Sequence, residues 1–335
     1  MQQVTRRGAM TAFGVGAASI ALSKNALAAT PAKPQPSSSD AQQGSGFYKF
    51  QVGSGANAIT CYSIGDGQGQ MPPYPIWGSN ASQGEVESVL ESFVLPKSPV
   101  LMHFNVLCFK VGSETWLVDA GNGPGERGGK LMKHLATLGI KPGDVSGIIV
   151  SHLHGDHFGG FFDEAGSLAF SNAKYFINKA EKEFWGGSPD LSKCKLPEDN
   201  KKGAAERAAK ALASLEKSGK LQVVGDGDTL TTGVTVKQTG GHTPGHQTVT
   251  LESGGDKFTM LVDAVHHYVL SFGKPDWHLA FDYDAEVGAK TRRKVLEGIA
   301  AERTLVMGYH TPWPGIGHVR ARDGGFEWLP VPWSW

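Results

Sequence analysis

Three cysteines in 335 residues, Cys61, Cys108 and Cys194, are too few and too scattered to form a covalent framework. None sits in a CxxC pair, at most one disulfide can form, and Cys61 and Cys108 fall in strand-like runs where a buried free thiol is the ordinary state. Net charge is equally scarce, since 32 basic residues balance 32 acidic ones. A chain without basic excess lacks the electrostatic footprint that a nucleic acid or an anionic membrane selects. No stretch is both long and apolar enough to span a bilayer, and no repeat of roughly 20–50 residues recurs. What is abundant is glycine, 45 residues, beside 40% hydrophobic residues, which fits a loop-rich α/β protein with ample core.

The N-terminus reads as an export signal. Arg6-Arg7 is followed by a weakly apolar Gly/Ala-rich run, Gly8 to Ser23, then Lys24, then the small-x-small site Ala26-Leu27-Ala28. No acid precedes Asp40. Residues 1–28 are therefore expected to be a twin-arginine-type signal peptide, which implies a periplasmic or secreted product. Residues 29–46, rich in Pro, Ser, Gln and Ala, read as a flexible leader. Residues 47–335 form the expected folded domain, long for one unit but ordinary for a layered α/β fold.

Ser151-His152-Leu153-His154-Gly155-Asp156-His157-Phe158-Gly159-Gly160 is the densest cluster of metal-capable side chains. It follows Gly147-Ile148-Ile149-Val150, a short β-branched run that reads as a buried strand. If the extended path continues past Val150, His152 and His154 point the same way. Gly155 then permits a sharp turn that aims Asp156 and His157 at a second point. Imidazole with carboxylate suits zinc or another first-row divalent ion, and two aiming points favour two ions over one. A His-rich helix cap is the plain alternative, but four ligand side chains at this spacing argue against it.

Elsewhere the pattern alternates strands and helices. Two strands over Phe47–Ile64 break at Gly53-Ser54-Gly55, and residues 65–84 read as a long loop carrying Trp77. Leu101–Phe109 and Thr115–Asp119 read as an antiparallel pair turned at Gly112-Ser113. A helix is expected over Gly129–Leu138, with His134 on its surface. Further expectations are a strand at Ala173–Ile177, a helix at Lys179–Trp185, loop from Gly186 to Lys202 and an Ala-rich helix at Gly203–Ser218. Later strands at Val234–Lys237, Lys257–Val262 and Thr304–Met307 each run into a candidate ligand: His242, Asp263 and His310.

The first cluster resembles the HxHxDH signature of the metallo-β-lactamase superfamily, and Gly241-His242-Thr243-Pro244-Gly245-His246 resembles that superfamily's GHTPGH segment. The resemblance implies a four-layer αββα sandwich. It implies one ligand group of His152, His154 and His242, another of Asp156, His157 and His310, and Asp263 bridging them. His246 is then left to bond locally. Asp119, in Asp119-Ala120-Gly121, resembles the family residue that braces the ligand loop through the free ring nitrogen of a histidine. The cofactor implied is a pair of divalent ions, zinc first, with manganese, iron or cobalt as alternatives.

Phe281-Asp282-Tyr283-Asp284, Arg292-Arg293 and Pro314-Gly315-Ile316-Gly317-His318 are similar to the methyl parathion hydrolase-like branch, often dimeric, so a homodimer is an expected assembly. Lactonases of the superfamily commonly carry Tyr three residues after the bridging Asp, where this chain has His266. The expected activity is hydrolysis of a small ester-like substrate by a hydroxide held between the two ions, with Asp263 and His266 as catalytic candidates. Aryl esters or organophosphate triesters lead that expectation, on a pocket walled by Trp77, Trp185 and His267. A lactonase, a β-lactamase and a non-catalytic metal-binding module are the competing readings. A flavin-dependent di-iron protein would replace ligand histidines with carboxylates, and a nuclease would need basic charge that is absent here. Replacing Arg6 and Arg7 together with Lys is expected to leave the uncleaved precursor in the cytoplasm, as read by cell fractionation; normal export would point to the general secretory route.

Overall fold

Short β-branched runs bounded by glycine dominate the chain, and they pair as strands. The computed structural model, which describes residues 46–124 and 128–332, arranges them in two seven-stranded sheets. The expected signal peptide, and the leader up to residue 45, lie outside the described residues. The first sheet holds, in spatial and chain order, β1 (Phe47–Val52), β2 (Ile59–Met71), β3 (Val100–Val111), β4 (Glu114–Val118), β5 (Val145–Val150), β6 (Lys174–Asn178) and β7 (Leu221–Val224). β1 to β4 pair antiparallel and β4 to β7 parallel. The second holds β8 (Thr229–Thr231), β9 (Val234–Gln238), β10 (Gln247–Ser253), β11 (Asp256–Val262), β12 (Leu305–Gly308), β13 (Ile316–Arg322) and β14 (Gly325–Pro330). Its pairs are antiparallel except β11 with β12.

The sheets share one apolar core. Phe50 of β1 meets Phe258 of β11 with ring centroids 5.1 Å apart, and buried Cys61, Val106 and Ile149 join Val249, Met260 and Met307 in a single cluster. The helices are α1 (Gln83–Ser92), α2 (Leu131–Thr137), α3 (Gly155–Phe158), α4 (Lys179–Gly186), α5 (Glu198–Lys217), α6 (Leu270–Gly273) and α7 (Ala285–Glu302). α5 buries a stripe of Ala208, Ala211, Leu212 and Leu215. α7 buries Leu296 and Ile299 against Val306, Val319 and Trp328. Helices flanking two sheets make the αββα sandwich. All three cysteines are free and buried.

Four local expectations need correction. β2 runs to Met71, so the first third of the expected 65–84 loop is strand, bulged between Gly65 and Gly67 and paired with Val100–Phe104. Its Gly/Gln run has little apolar signal, and the partner strand supplies the pairing. α1 was not expected, although Ser82 and Glu85 form a reciprocal capping box at its start. α5 begins five residues before the expected Gly203, after Pro197, with Glu198 and Asp199 in its first turn. His134 is no plain surface residue: its Nδ1 lies 2.8 Å from the Gly65 carbonyl and secures the β2 bulge.

Parallel pairing puts the C-terminal ends of β4 and β5 at one edge, and those of β11 and β12 at one edge of the other sheet. The two edges meet at Gln247, whose backbone N–H donates to the Ser151 carbonyl at 3.1 Å and whose amide donates to the Val150 carbonyl at 2.9 Å. Asn105 of β3 likewise donates to the carbonyls of Gly308 (3.2 Å) and Thr311 (2.8 Å). Away from this edge, Arg303 ends α7 in the left-handed region, at φ 54°. Arg303→Gly should raise stability by about 0.5–1 kcal/mol, since a side chain there is strained and glycine is not; an unchanged or lower urea midpoint would refute this.

Candidate metal centre

After β5 the backbone stays extended through His154, at φ −92° and ψ 148°, so His152 and His154 share a side and their ring centroids lie 4.6 Å apart. α3 then begins. Its single turn brings Asp156 and His157 round toward a second point, with the His157 ring still 4.2 Å from that of His152.

Two donor groups result. In the first, His152 Nε2, His154 Nδ1 and His242 Nε2 lie 2.8–3.2 Å from one another. Asp263 Oδ2 sits 3.2 Å from His242 Nε2 and 3.7 Å from His152 Nε2. In the second, Asp156 Oδ2 lies 3.6 Å from both His157 Nε2 and His310 Nε2. Asp263 Oδ1 approaches those two nitrogens at 3.4 and 3.3 Å. The two oxygens of Asp263 thus face different groups. All seven residues that the sequence nominated converge here.

The far ring nitrogens of four of the five histidines are held. His152 Nδ1 meets Ser151 Oγ at 2.9 Å, and that hydroxyl donates to Asp119 Oδ2 at 2.6 Å. His157 Nδ1 donates to Asp119 Oδ2 at 2.8 Å, His242 Nδ1 to Asp282 Oδ1 at 2.9 Å, and His310 Nδ1 to the His103 carbonyl at 2.9 Å. A carbonyl or carboxylate can only accept, so these protons sit outward and the Nε2 lone pairs turn inward. His157 Nε2 and Asp263 Oδ1 are buried without a hydrogen-bond partner among the described residues. Buried polar atoms left this way are costly unless something else satisfies them. Inward lone pairs, a shared carboxylate and orphaned donors fit two divalent first-row ions.

The electrostatics agree with strong coupling. Burial and the neighbouring histidines hold His152 and His154 well below the ordinary histidine range, in the neutral form a ligand needs. Burial alone would also lower His157, but Asp263, Asp156 and Asp119 hold it well above that range. His242 is carried against burial to about 9 by Asp263 and Asp282. Asp263 is held far below the usual carboxylate value, in spite of burial, by His310, His157 and His266.

Two residues that aim the site have left-handed backbone, Asp119 at φ 63° and Val262 at φ 48°. For a β-branched residue this is strained, of order 1–3 kcal/mol, and it turns the chain immediately before Asp263. His246 Nε2 accepts the Asp263 backbone N–H at 3.1 Å while its Nδ1 meets Thr239 Oγ1 at 2.8 Å, the local role expected of it.

The aromatic walls expected of the pocket are elsewhere. Trp185 is 1% exposed, with its indole N–H on Glu181 Oε1 at 2.7 Å. Trp77 is buried in the core and meets the His267 ring at 5.5 Å. His267 accepts the Val269 and Leu270 N–H groups through Nδ1, each at 3.2 Å, so it caps α6 instead of facing a substrate. His266 does face the site, its Nε2 3.0 Å from Asp263 Oδ2. Tyr283 and Tyr309 were not nominated: Tyr283 lies against the His154 ring at 5.6 Å, and Tyr309 stacks on His157 at 4.0 Å and donates to the Asp156 carbonyl at 2.6 Å. In the sequence Asp282 and Arg292 stand out only as parts of the Phe281–Asp284 and Arg292-Arg293 runs. They form a buried pair at 2.8 Å behind His242.

Removing one partner of such a pair leaves an uncompensated buried charge, so Arg292→Leu should cost roughly 3–5 kcal/mol by urea denaturation at neutral pH. Burial would raise the Asp282 pKa, but Arg292 and His242 hold it below the ordinary value. Its contribution is therefore complete above the unfolded carboxyl pKa of about 3.9 and is lost as pH falls through the folded one. The gap between wild type and Arg292→Leu should narrow below about pH 4.

Residues 105–297 match the family model of the metallo-beta-lactamase superfamily. Among curated proteins, an N-acyl homoserine lactonase of Bacillus cereus is 28% identical over 186 residues, 54% of this chain, and the match spans 62% of that relative's own length. Among solved structures, AidC, a dizinc quorum-quenching lactonase in complex with a product, N-hexanoyl-L-homoserine, superposes with TM-score 0.81 at 29% identity, covering 86% of this chain and 98% of that one. The hydrolase AbOPH, in the beta lactamase superfamily, gives TM-score 0.78 at 26% identity over 88% and 100% of the two chains. Fold, donor geometry and family model agree, and the chain belongs to the metallo-beta-lactamase superfamily.

Proposed function

We propose that the protein opens cyclic esters of the N-acyl homoserine lactone class, with two zinc ions held by His152, His154 and His242 on one side, Asp156, His157 and His310 on the other, and Asp263 between. The likeness to the dizinc lactonase AidC over nearly all of that chain carries the choice of substrate. The donor geometry supports the choice of chemistry, since Asp263 turns one oxygen to each group.

When bound, a pair of divalent cations supplies Lewis acidity toward a carbonyl oxygen and lowers the pKa of water. The chain's own part is to present fixed donors and to bury them. Ser151 and Asp119 orient His152 and His157, Asp282 orients His242, and the His103 carbonyl orients His310. His266 steadies the Asp263 carboxylate through Oδ2. Burial, joined by His242 and His310, lowers the His266 pKa to about 4 against the pull of Asp263, so it acts as a neutral hydrogen-bond donor near pH 7. Aryl esters and organophosphate triesters lose the pocket walls expected at Trp77 and Trp185, both committed to the core.

Metal analysis of the purified chain should find two divalent ions, zinc predominating, and Asp263→Ala should lose hydrolysis by at least about 100-fold. In a panel of N-hexanoyl homoserine lactone, an aryl ester, an aryl phosphotriester and a β-lactam, the lactone should lead in kcat/KM by about tenfold or more, a transition-state preference of roughly 1.4 kcal/mol. An aryl substrate in the lead would overturn the lactone reading, and an Asp263→Ala variant with both ions and full activity would overturn the site.

A further inference from the structure

The two loops that supply the first donor group meet at one buried side chain. Glu181, on α4, is fully buried and accepts four hydrogen bonds. Oε1 accepts the Leu153 backbone N–H at 2.9 Å and the Trp185 indole N–H at 2.7 Å. Oε2 accepts the Thr243 hydroxyl at 2.6 Å and the Gly245 backbone N–H at 3.1 Å. Leu153 lies between His152 and His154, and Thr243 directly follows His242. One carboxylate therefore spans the loops that carry all three imidazoles of that group. The approach is close: a Cβ on Gly245 would come within 2.0 Å of the Glu181 nitrogen. α4 is itself anchored, with the Asn178 side chain capping the Ala180 N–H at 2.8 Å.

All four donors come from those two loops or from α4. Asp156, His157 and His310 are aimed instead through α3, Asp119 and the His103 carbonyl. The support that Glu181 gives is confined to the first group, although Asp263 and Asp119 are common to both.

We propose that Glu181 is a positioning residue for His152, His154 and His242, setting the separation of their loops and with it the affinity of the first ion, while the second group is indifferent to it. The inference rests on the reading that the seven donors hold two divalent ions. In Glu181→Gln an NH2 replaces one oxygen, and wherever it turns it faces at least one N–H that cannot accept. The loops must then part or leave a buried donor unpaired.

The test is a titration of the metal-free full-length chain with Co2+, following the visible d–d absorption, with His242→Ala and His310→Ala chains identifying which band and which step report each group. Glu181→Gln should weaken the first-group step by about 10-fold or more, the scale seen when groups behind metal ligands are lost. Its band should shift while the second-group step stays within about twofold of wild type. Thr243→Val removes a single donor with little change of shape and should give a smaller loss at the same step, which keeps the test intact if Glu181→Gln does not fold. Wild-type affinities in the folded variants would overturn the inference. So would equal weakening of both steps together with a lowered melting temperature of the metal-free chain, the mark of a merely structural role. A wild-type chain that takes up fewer than two ions would overturn the reading beneath the inference instead.

Discussion

Asp263 is where the two sheets have to agree. Its carboxylate is buried, its backbone N–H is spent on His246, and its oxygens look toward histidines delivered by three separate strand ends. That arrangement requires the end of β11 to stand opposite the end of β5, within hydrogen-bonding precision. The Gln247 contacts across the seam hold this alignment, and the strained backbone at Val262 delivers the carboxylate into it. A shift of one sheet past the other by a single residue would turn the donors away, because side chains alternate along a strand.

Buried carboxylates hold the surrounding loops. Asp66 accepts two bonds from Asn122 and one from the Leu131 N–H, which fastens the turn after β4 to the start of α2. Asp119 does the same for the loop after β5, and Asp282 for the loop after β9, with Arg292 behind it. Each would be prohibitive to bury alone; several donors, or a charged partner, compensate the lost hydration. The scaffold is thus polar where it must be exact in shape, and apolar between the sheets where it need only be well filled.

Much of this was legible in the sequence, for unequal reasons. His152, His154, Asp156 and His157 announce themselves because strand alternation and a single turn act on adjacent residues. His242, Asp263 and His310 each follow a recognisable apolar run, but only a family resemblance joins them to the first cluster. The roles of Asp282 and Arg292 were hidden, since each depends on a partner brought close by the fold, His242 lying 40 residues before Asp282. Trp77, Trp185 and His267 misled for the opposite reason: an aromatic residue near a ligand loop can face the cavity or the core, and local sequence does not say which. The outer half of β2 failed because glycine and glutamine carry no apolar period, although β3 pairs with them nonetheless.

The donors are split along the chain, four of them before residue 160 and the other three after residue 240. Neither half contains a complete group, and His310 lies close to the C-terminal end of the described residues. A chain still emerging from the ribosome can close its first sheet long before it can assemble either cluster. Competence to bind a second ion therefore arrives only with the last strands, after every residue of the first group has been made.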